Sequence, residues 1–239
     1  ANFFVENRKR IYSASQFFLS IGYFILPTFI IFEQPDLGSA LVYGFMFLVM
    51  LLFSPFPKKY LIYIAVIAGM LVPFGWMMMK DYQRERIVSF IQPHTKQQGT
   101  AYNMTQAIIA VGSGEFVGKG LGSGTQSQLS FLPEDHTDFA FSSLVEQFGF
   151  IGGMGVIGLY IVLSLMFIKR LVTYYGKRDE DGYFSFLYTL GFFSFMIFQT
   201  FVNIGMNMGV LPIAGITLPL ISYGGSSLLT WMLGLALLP

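Results

Sequence analysis

The sequence predicts an all-α, polytopic membrane helix bundle of about six transmembrane helices with one long extracytoplasmic loop. Three observations predict it. The chain of 239 residues is 54% hydrophobic and only 11% charged, whereas an ordinary soluble domain carries roughly 25% charged residues. Long apolar runs recur along it, each at or near the roughly 20 residues a helix needs to cross a bilayer. The short connections between these runs alternate between basic and non-basic. The runs are continuous rather than short and alternating, so helices, not barrel strands, satisfy the backbone in lipid.

In order, the expected spans are 11–32, 37–53, 60–79, 139–168, 184–208 and 216–238. Arg8, Lys9 and Arg10 precede the first span, and Lys58 and Lys59 join the second to the third. Lys169, Arg170, Lys177 and Arg178 join the fourth to the fifth. The alternate connections, EQPD (33–36) and the stretch around 209–215, hold no Lys or Arg. The basic connections are therefore cytoplasmic by the positive-inside rule, and the long loop 80–138 lies outside. The whole of 1–239 reads as a single integral membrane domain. The opening ANFFVENRKR is not a secretory signal, because its basic cluster follows too short an apolar run. A first residue Ala1 and an end inside the apolar run LGLALLP lead us to expect a fragment cut at both ends. A net charge of +1 and the lack of any DNA- or RNA-binding motif argue against nucleic acid as a partner. With no cysteine, a disulfide framework and a thiolate metal site are excluded.

A connection as long as 80–138 is unusual in a compact domain and is often functional. In YNMTQAIIAVG (102–112), Met104, Ala107, Ile108 and Val111 have helical spacing, predicting a short amphipathic helix at the outer surface. GEFVGKGLGSGTQSQ (114–128) follows, with Gly118, Gly120, Gly122 and Gly124 at every second position. It is no Walker motif, because Ser113 stands where the first glycine belongs. The glycines permit tight turns and close approach of a ligand. Lys119 among them is either a charge for a phosphate or a solvated lysine on a flexible turn.

FLPEDHTDFAF (131–141) gathers Glu134, Asp135, His136 and Asp138 at the start of the fourth span. Thr137 or Asp138 suits a helix N-cap. Capping leaves the other acids unexplained. One histidine argues against a protein-built zinc site, while a hard cation held by a carboxylate and a substrate phosphate stays open. Inside the spans, Glu146 sits about two turns into the fourth and either faces a cavity or lies at the interface. Gln199, Asn203 and Asn207 share one face of the fifth, a pattern of hydrogen-bonding glue between helices. In ITLPLISYGGSSLL (216–229), Pro219 and Gly224–Gly225 interrupt an apolar run, giving either a cavity-lining break or a packed kink.

Three long motifs carry a resemblance: QPDLGSA (34–40), GKGLGSGTQSQLSFLPEDHTDFAF (118–141) and NIGMNMGVLPIAGITLPLISYGGSS (203–227). Together, and in this order, they resemble the SEDS family of bacterial shape, elongation, division and sporulation proteins. GTQSQL followed by FLPE looks more like the RodA branch than the FtsW branch. The resemblance implies an integral membrane protein of about ten helices, of which these six would be the later ones. It implies polymerisation of peptidoglycan glycan strands from lipid II by an inverting glycosyl transfer at the outer face of the bacterial cytoplasmic membrane. The GlcNAc 4-hydroxyl of one lipid II would attack the MurNAc C1 of the growing strand, with the pyrophosphate lipid leaving.

Carried over residue by residue, Asp138 of HTDF is the essential carboxylate and Lys119 the loop lysine of GKG. PDLG spans Pro35 to Gly38, and SYGGSS spans Ser222 to Ser227. Substrate contacts are expected from Lys119, Arg86, Gln126, Ser127, Glu146, Ser222 and Tyr223. Asp138 and Asp135 are the candidate ligands of a divalent cation, magnesium foremost. Here VEQFG stands where relatives often carry a Glu-Glu pair, so Glu146 is kept and Gln147 replaces the second acid. The implied partners are lipid II, the growing strand, membrane lipid and a class B penicillin-binding protein transpeptidase. The alternative is a flippase or transporter of the lipid-linked sugar, which would place its essential groups near the bilayer midplane rather than at the outer face.

Overall fold

The computed structural model describes residues 1–6, 14–34, 36–92, 99–129, 131–177 and 179–239. Arg8, Lys9, Arg10 and Arg178, used above for orientation, and Pro35 of the PDLG motif lie outside the described residues. Every regular element among the described residues is helical: α1 (Asn2–Glu6), α2 (Ala14–Glu33), α3 (Leu37–Phe53), α4 (Lys59–Met78), α5 (Asp81–Ile91), α6 (Thr100–Ser113), α7 (Thr125–Gln128), α8 (Ala140–Tyr174), α9 (Glu180–Asn207) and α10 (Gly225–Ala236). Four of these (α2 from Ser15, α4, α8 and α9) are long and apolar enough to cross a membrane, and α3 and α10 are shorter apolar helices.

The contacts of the chain group into two compact units, and α8 and α9 contribute residues to both. The first unit comprises 1–79, 165–196 and 237–239. Here the acid of PDLG has a local task. The Asp36 carboxylate accepts the Ser39 amide at 2.9 Å and caps the start of α3. The core of this unit is largely aromatic: Phe17 stacks on Tyr60 at 4.3 Å and meets Phe56 edge-on at 5.5 Å, beside buried Met50, Leu51, Leu187 and Leu190. Such ring pairs add stability beyond the area they bury. α4 buries none of its residues within the described chain. An apolar helix with no buried face is the pattern of a membrane span.

The second unit comprises 80–164 and 197–236 and contains every described candidate site residue. Two buried clusters organise it. One joins Met104, Ala107 and Ala110 of α6 to Leu132, Phe139, Met206 and Ile213. The other joins Phe141, Val145, Val156 and Tyr160 of α8 to Leu218. The helix expected at 102–112 is α6, although Ile108 turns out to be exposed and Ala110 takes the buried place. The long loop also holds α5, which the sequence reading passed over. Its charges, Asp81, Arg84, Glu85 and Arg86, obscured a one-sided helix that buries Gln83 and Ser89.

The span expected at 216–238 is corrected. Helix α10 starts only at Gly225, and 210–224 is irregular backbone. Pro219 and the positive φ of Leu220 (63°) keep this segment out of a helix. Its polar groups are met by protein instead. The Tyr160 hydroxyl donates to the Pro219 carbonyl, Asn203 Nδ2 donates to the Ile216 carbonyl at 2.6 Å, and the Tyr223 amide donates to the His136 carbonyl at 2.8 Å. Non-helical backbone is tolerated in a membrane protein where protein buries it in this way.

Candidate active site

Asp138 is held by its backbone before its side chain does anything. The Asp138 carbonyl accepts Asn203 Nδ2 at 2.9 Å and Asn207 Nδ2 at 3.0 Å. Both asparagines are fully buried on one face of α9. Asn207 Oδ1 in turn accepts the Ser142 amide at 3.0 Å and the Ser142 hydroxyl at 2.6 Å. Asn203 and Asn207 are therefore glue between helices, as the spacing predicted, and their attachment point is the HTDF turn, whereas the buried side-chain oxygen of Gln199, the third residue of the stripe, finds no partner among the described residues. The flanking phenylalanines also anchor the turn: Phe139 is buried in the α6 cluster and Phe141 in the α8 cluster.

The side chain of Asp138 is half-buried and lies, like that of Arg86, beside Gly215. Gly215 has φ +70°, the left-handed region that glycine adopts without strain. A methyl group at its α-carbon would lie 3.4 and 3.5 Å from the two terminal nitrogens of Arg86 and 3.7 Å from Asp138 Oδ2. Carboxylate and guanidinium thus converge on one point that only hydrogen occupies. α5 presents Arg86, whose Nη1 donates to the Ala214 carbonyl at 3.0 Å and whose guanidinium carbon lies 5.8 Å from the Tyr82 ring centre one turn earlier. A guanidinium has five N–H donors, so these contacts leave capacity for a ligand.

Lys119 and Glu146 form an ion pair. Glu146 is fully buried, and its carboxylate accepts Lys119 Nζ at 2.8 Å, the Thr125 hydroxyl at 3.3 Å, the Gln126 amide at 2.9 Å and the Ser127 amide and hydroxyl at 3.1 and 3.0 Å. Lys119 Nζ also donates to the Thr125 hydroxyl at 2.8 Å. Of the expected substrate contacts, Lys119, Ser127, Glu146 and the backbone of Gln126 are thus engaged with one another. The side-chain oxygen of Gln126 is buried and finds no partner among the described residues.

Ser222 also has protein partners. Its hydroxyl donates to the Thr137 carbonyl and accepts the Leu218 amide at 2.8 Å. Tyr223 is exposed and lines a cavity of about 510 Å³ with Asp135, His136, Ser143, Gln147 and Phe148. Asp135 lies 3.7 Å from His136 Nε2. The Thr137 hydroxyl, one of the two expected caps for α8, turns back onto the Glu134 carboxylate at 2.8 Å. Among the described residues, no three His, Cys, Asp or Glu side chains come together as metal ligands.

Residues 1–239, the entire chain, match the FtsW/RodA/SpoVE family of cell cycle proteins. The chain belongs to this family. It is 38% identical over 213 residues to the peptidoglycan glycosyltransferase MrdB of Escherichia coli K12, covering 87% of this chain and 55% of that protein. It is 36% identical over 231 residues to the probable peptidoglycan glycosyltransferase FtsW of Shewanella sediminis, covering 95% of this chain and 55% of that one. The chain thus spans about half the length of these relatives. Among solved structures, it superposes with TM-score 0.73 and 30% identity on a chain of a peptidoglycan synthase complex that coordinates polymerisation and crosslinking, covering 95% of this chain and 62% of that one. It also superposes with TM-score 0.59 and 26% identity on a mutant of the rod shape determining protein RodA of Thermus thermophilus, covering 99% of this chain and 61% of that one. Family membership and the apolar helices make this a multi-pass membrane protein.

Proposed function

We propose that the full protein polymerises glycan strands from lipid II, and that the turn carrying Asp138 is its acid–base centre at the outer face of the bacterial cytoplasmic membrane. One observation carries the proposal: Asp138 and Arg86, of opposite charge, converge on the hydrogen-only space at Gly215, while two buried asparagines fix the backbone of Asp138. A glycosyl transfer from a pyrophosphate donor needs both charges, a base at the attacking hydroxyl and a cation at the departing pyrophosphate. The Asp138 carboxylate takes the proton of the attacking sugar hydroxyl as the new C1–O bond forms, a role typically contributing about 10²–10⁴-fold. The bond from C1 to the pyrophosphate oxygen breaks on the opposite face, and Arg86 meets the charge that develops there. Single displacement inverts the anomeric centre and needs no enzyme nucleophile, as in inverting hydrolases.

The donor set beside Asp138 is one carboxylate and a guanidinium, which is not a cage for a resident metal. It suits a magnesium ion carried in on phosphate oxygens, the way this ion is usually held. The relatives' names support the glycosyltransferase assignment, and the synthase complex supports a crosslinking partner of the penicillin-binding protein class. The test is lipid II polymerisation by the full-length protein with its transpeptidase, wild type against Asp138→Asn, at matched expression and fold. Strands from the wild type alone support the proposal, whereas strands from both would reduce Asp138 to a structural residue. Lipid II crossing the bilayer without strands from either would establish the flippase instead.

A further inference from the structure

Helix α8 is not continuous. At Gly149 the backbone takes φ 67° and ψ −165°, a combination essentially confined to glycine. In an unbroken helix the Phe150 and Ile151 amides would donate to the Glu146 and Gln147 carbonyls. Instead those carbonyls accept the amides of Lys119 (3.0 Å) and Gly120 (3.0 Å), and the Phe150 and Ile151 amides donate to the carbonyls of Glu115 (2.8 Å) and Phe116 (3.2 Å). The loop 115–120 thus supplies partners to these four groups in place of the helical ones. The fit requires glycine on both sides. A methyl at Gly118 would come within 2.6 Å of the Gly149 nitrogen, and one at Gly149 within 2.5 Å of the Phe116 carbonyl oxygen.

With its backbone committed inward, the loop turns apolar side chains outward. Phe116, Val117 and Leu121 are each more than 70% exposed. Phe116 meets Phe150 edge-on, ring centres 5.7 Å apart, and so continues the exposed apolar surface of α8 formed by Phe150, Ile151 and Met154. The character of α8 also changes at the break. Phe141, Val145 and Glu146 before it are buried in protein, whereas the face beyond it is exposed and apolar. Phe150–Ile168 carries no charged residue before Lys169 and Arg170. At the helical rise it is roughly 28 Å long, close to a hydrocarbon core of roughly 30 Å.

We propose that Gly149 marks where α8 leaves the hydrocarbon on the side away from Lys169 and Arg170, and that loop 115–121 is seated there as a lipid-contacting wedge. Phe116, Val117 and Leu121 contact lipid chains, while Glu115 and the Lys119–Glu146 pair stay at headgroup level. The occupant is membrane lipid because the patch is continuous with the uncharged, membrane-length face of α8.

The test uses the full-length protein, made free of cysteine, in phosphatidylethanolamine–phosphatidylglycerol vesicles, with a nitroxide on Val117→Cys, on Leu121→Cys or, as an exposed polar control at the end of α7, on Gln128→Cys. Relaxation by oxygen, which partitions into lipid, is compared with relaxation by a water-soluble nickel chelate. Lipid contact gives an oxygen-to-nickel ratio at 117 and 121 several-fold above that at 128. Equal ratios at all three sites place the loop in water and overturn the proposal. Labels at 117 and 121 that neither reagent reaches place another protein surface over the loop and also overturn it, as does nickel access lost only when the transpeptidase is added.

Discussion

The second unit contains two pairs of opposite charge that look alike in sequence and differ in surroundings. Lys119 and Glu146 sit at the glycine loop, with the carboxylate fully buried and supplied with donors by a lysine, a threonine, a serine and two backbone amides. Arg86 and Asp138 sit at the HTDF turn, half-buried, their charged ends facing the empty side of a glycine. A carboxylate whose acceptor sites are all filled has no capacity left for a substrate, and breaking its pairing leaves a buried charge uncompensated. The proposed function places proton exchange and phosphate contact at the half-buried groups, Asp138 and Arg86. Burial, more than charge, separates the two: Glu146 is fully enclosed, whereas Asp138 and Arg86 are half-buried.

That contrast can be broken or sharpened by substitution. The largest effect is expected for Asp138→Asn, a loss of strand synthesis of about 10²–10⁴-fold with an unchanged melting temperature. Activity surviving within a few-fold would erase the distinction. Arg86→Ala should come next, lowering kcat by about 10²-fold through loss of charge stabilisation. Arg86→Lys should recover only part of this, since a point charge does not reproduce the guanidinium fork; equal activity of Lys and Arg would argue against phosphate recognition by that fork.

Gly149→Ala should act on stability rather than on chemistry. It combines a backbone conformation foreign to alanine, about 1–3 kcal/mol, with a clash against the Phe116 carbonyl, and thermal unfolding in detergent reads it directly. For the structural pair, Glu146→Gln and Lys119→Met should be strongly non-additive in a double-mutant cycle, with a coupling of about 0.5–3 kcal/mol in melting stability. Additive losses would mean that the 2.8 Å contact contributes nothing. The smallest effect is expected at His136, exposed and 3.7 Å from Asp135, where alanine should change strand synthesis less than about 3-fold.

Most of the membrane architecture was legible in the sequence because hydrocarbon imposes a length and an apolar content on any helix that crosses it. α2, α3, α4, α8 and α9 fall close to the expected windows. The sixth window misled because apolar composition does not distinguish a helix from irregular backbone buried in protein. Pro219 and the paired glycines marked the interruption but not its extent. α5 was missed because its charged residues masked the face that buries Gln83 and Ser89. At the site, the HTDF carboxylate and the asparagine stripe could be picked out by residue type and spacing. No local signal ties Gly215 to Arg86, because their contact crosses more than a hundred residues of chain.

By itself the sequence determined the all-helical membrane class, the positions of most spans and the family, because period, length and motif are local properties of the chain. Only the tertiary structure decided how the Glu146 carboxylate is enclosed, which asparagines pin the turn carrying Asp138, and that a glycine loop completes a broken helix. Those outcomes depend on hydrogen-bond donors and close contacts brought together from distant segments, and a carboxylate's freedom to react is set by the neighbours that folding provides.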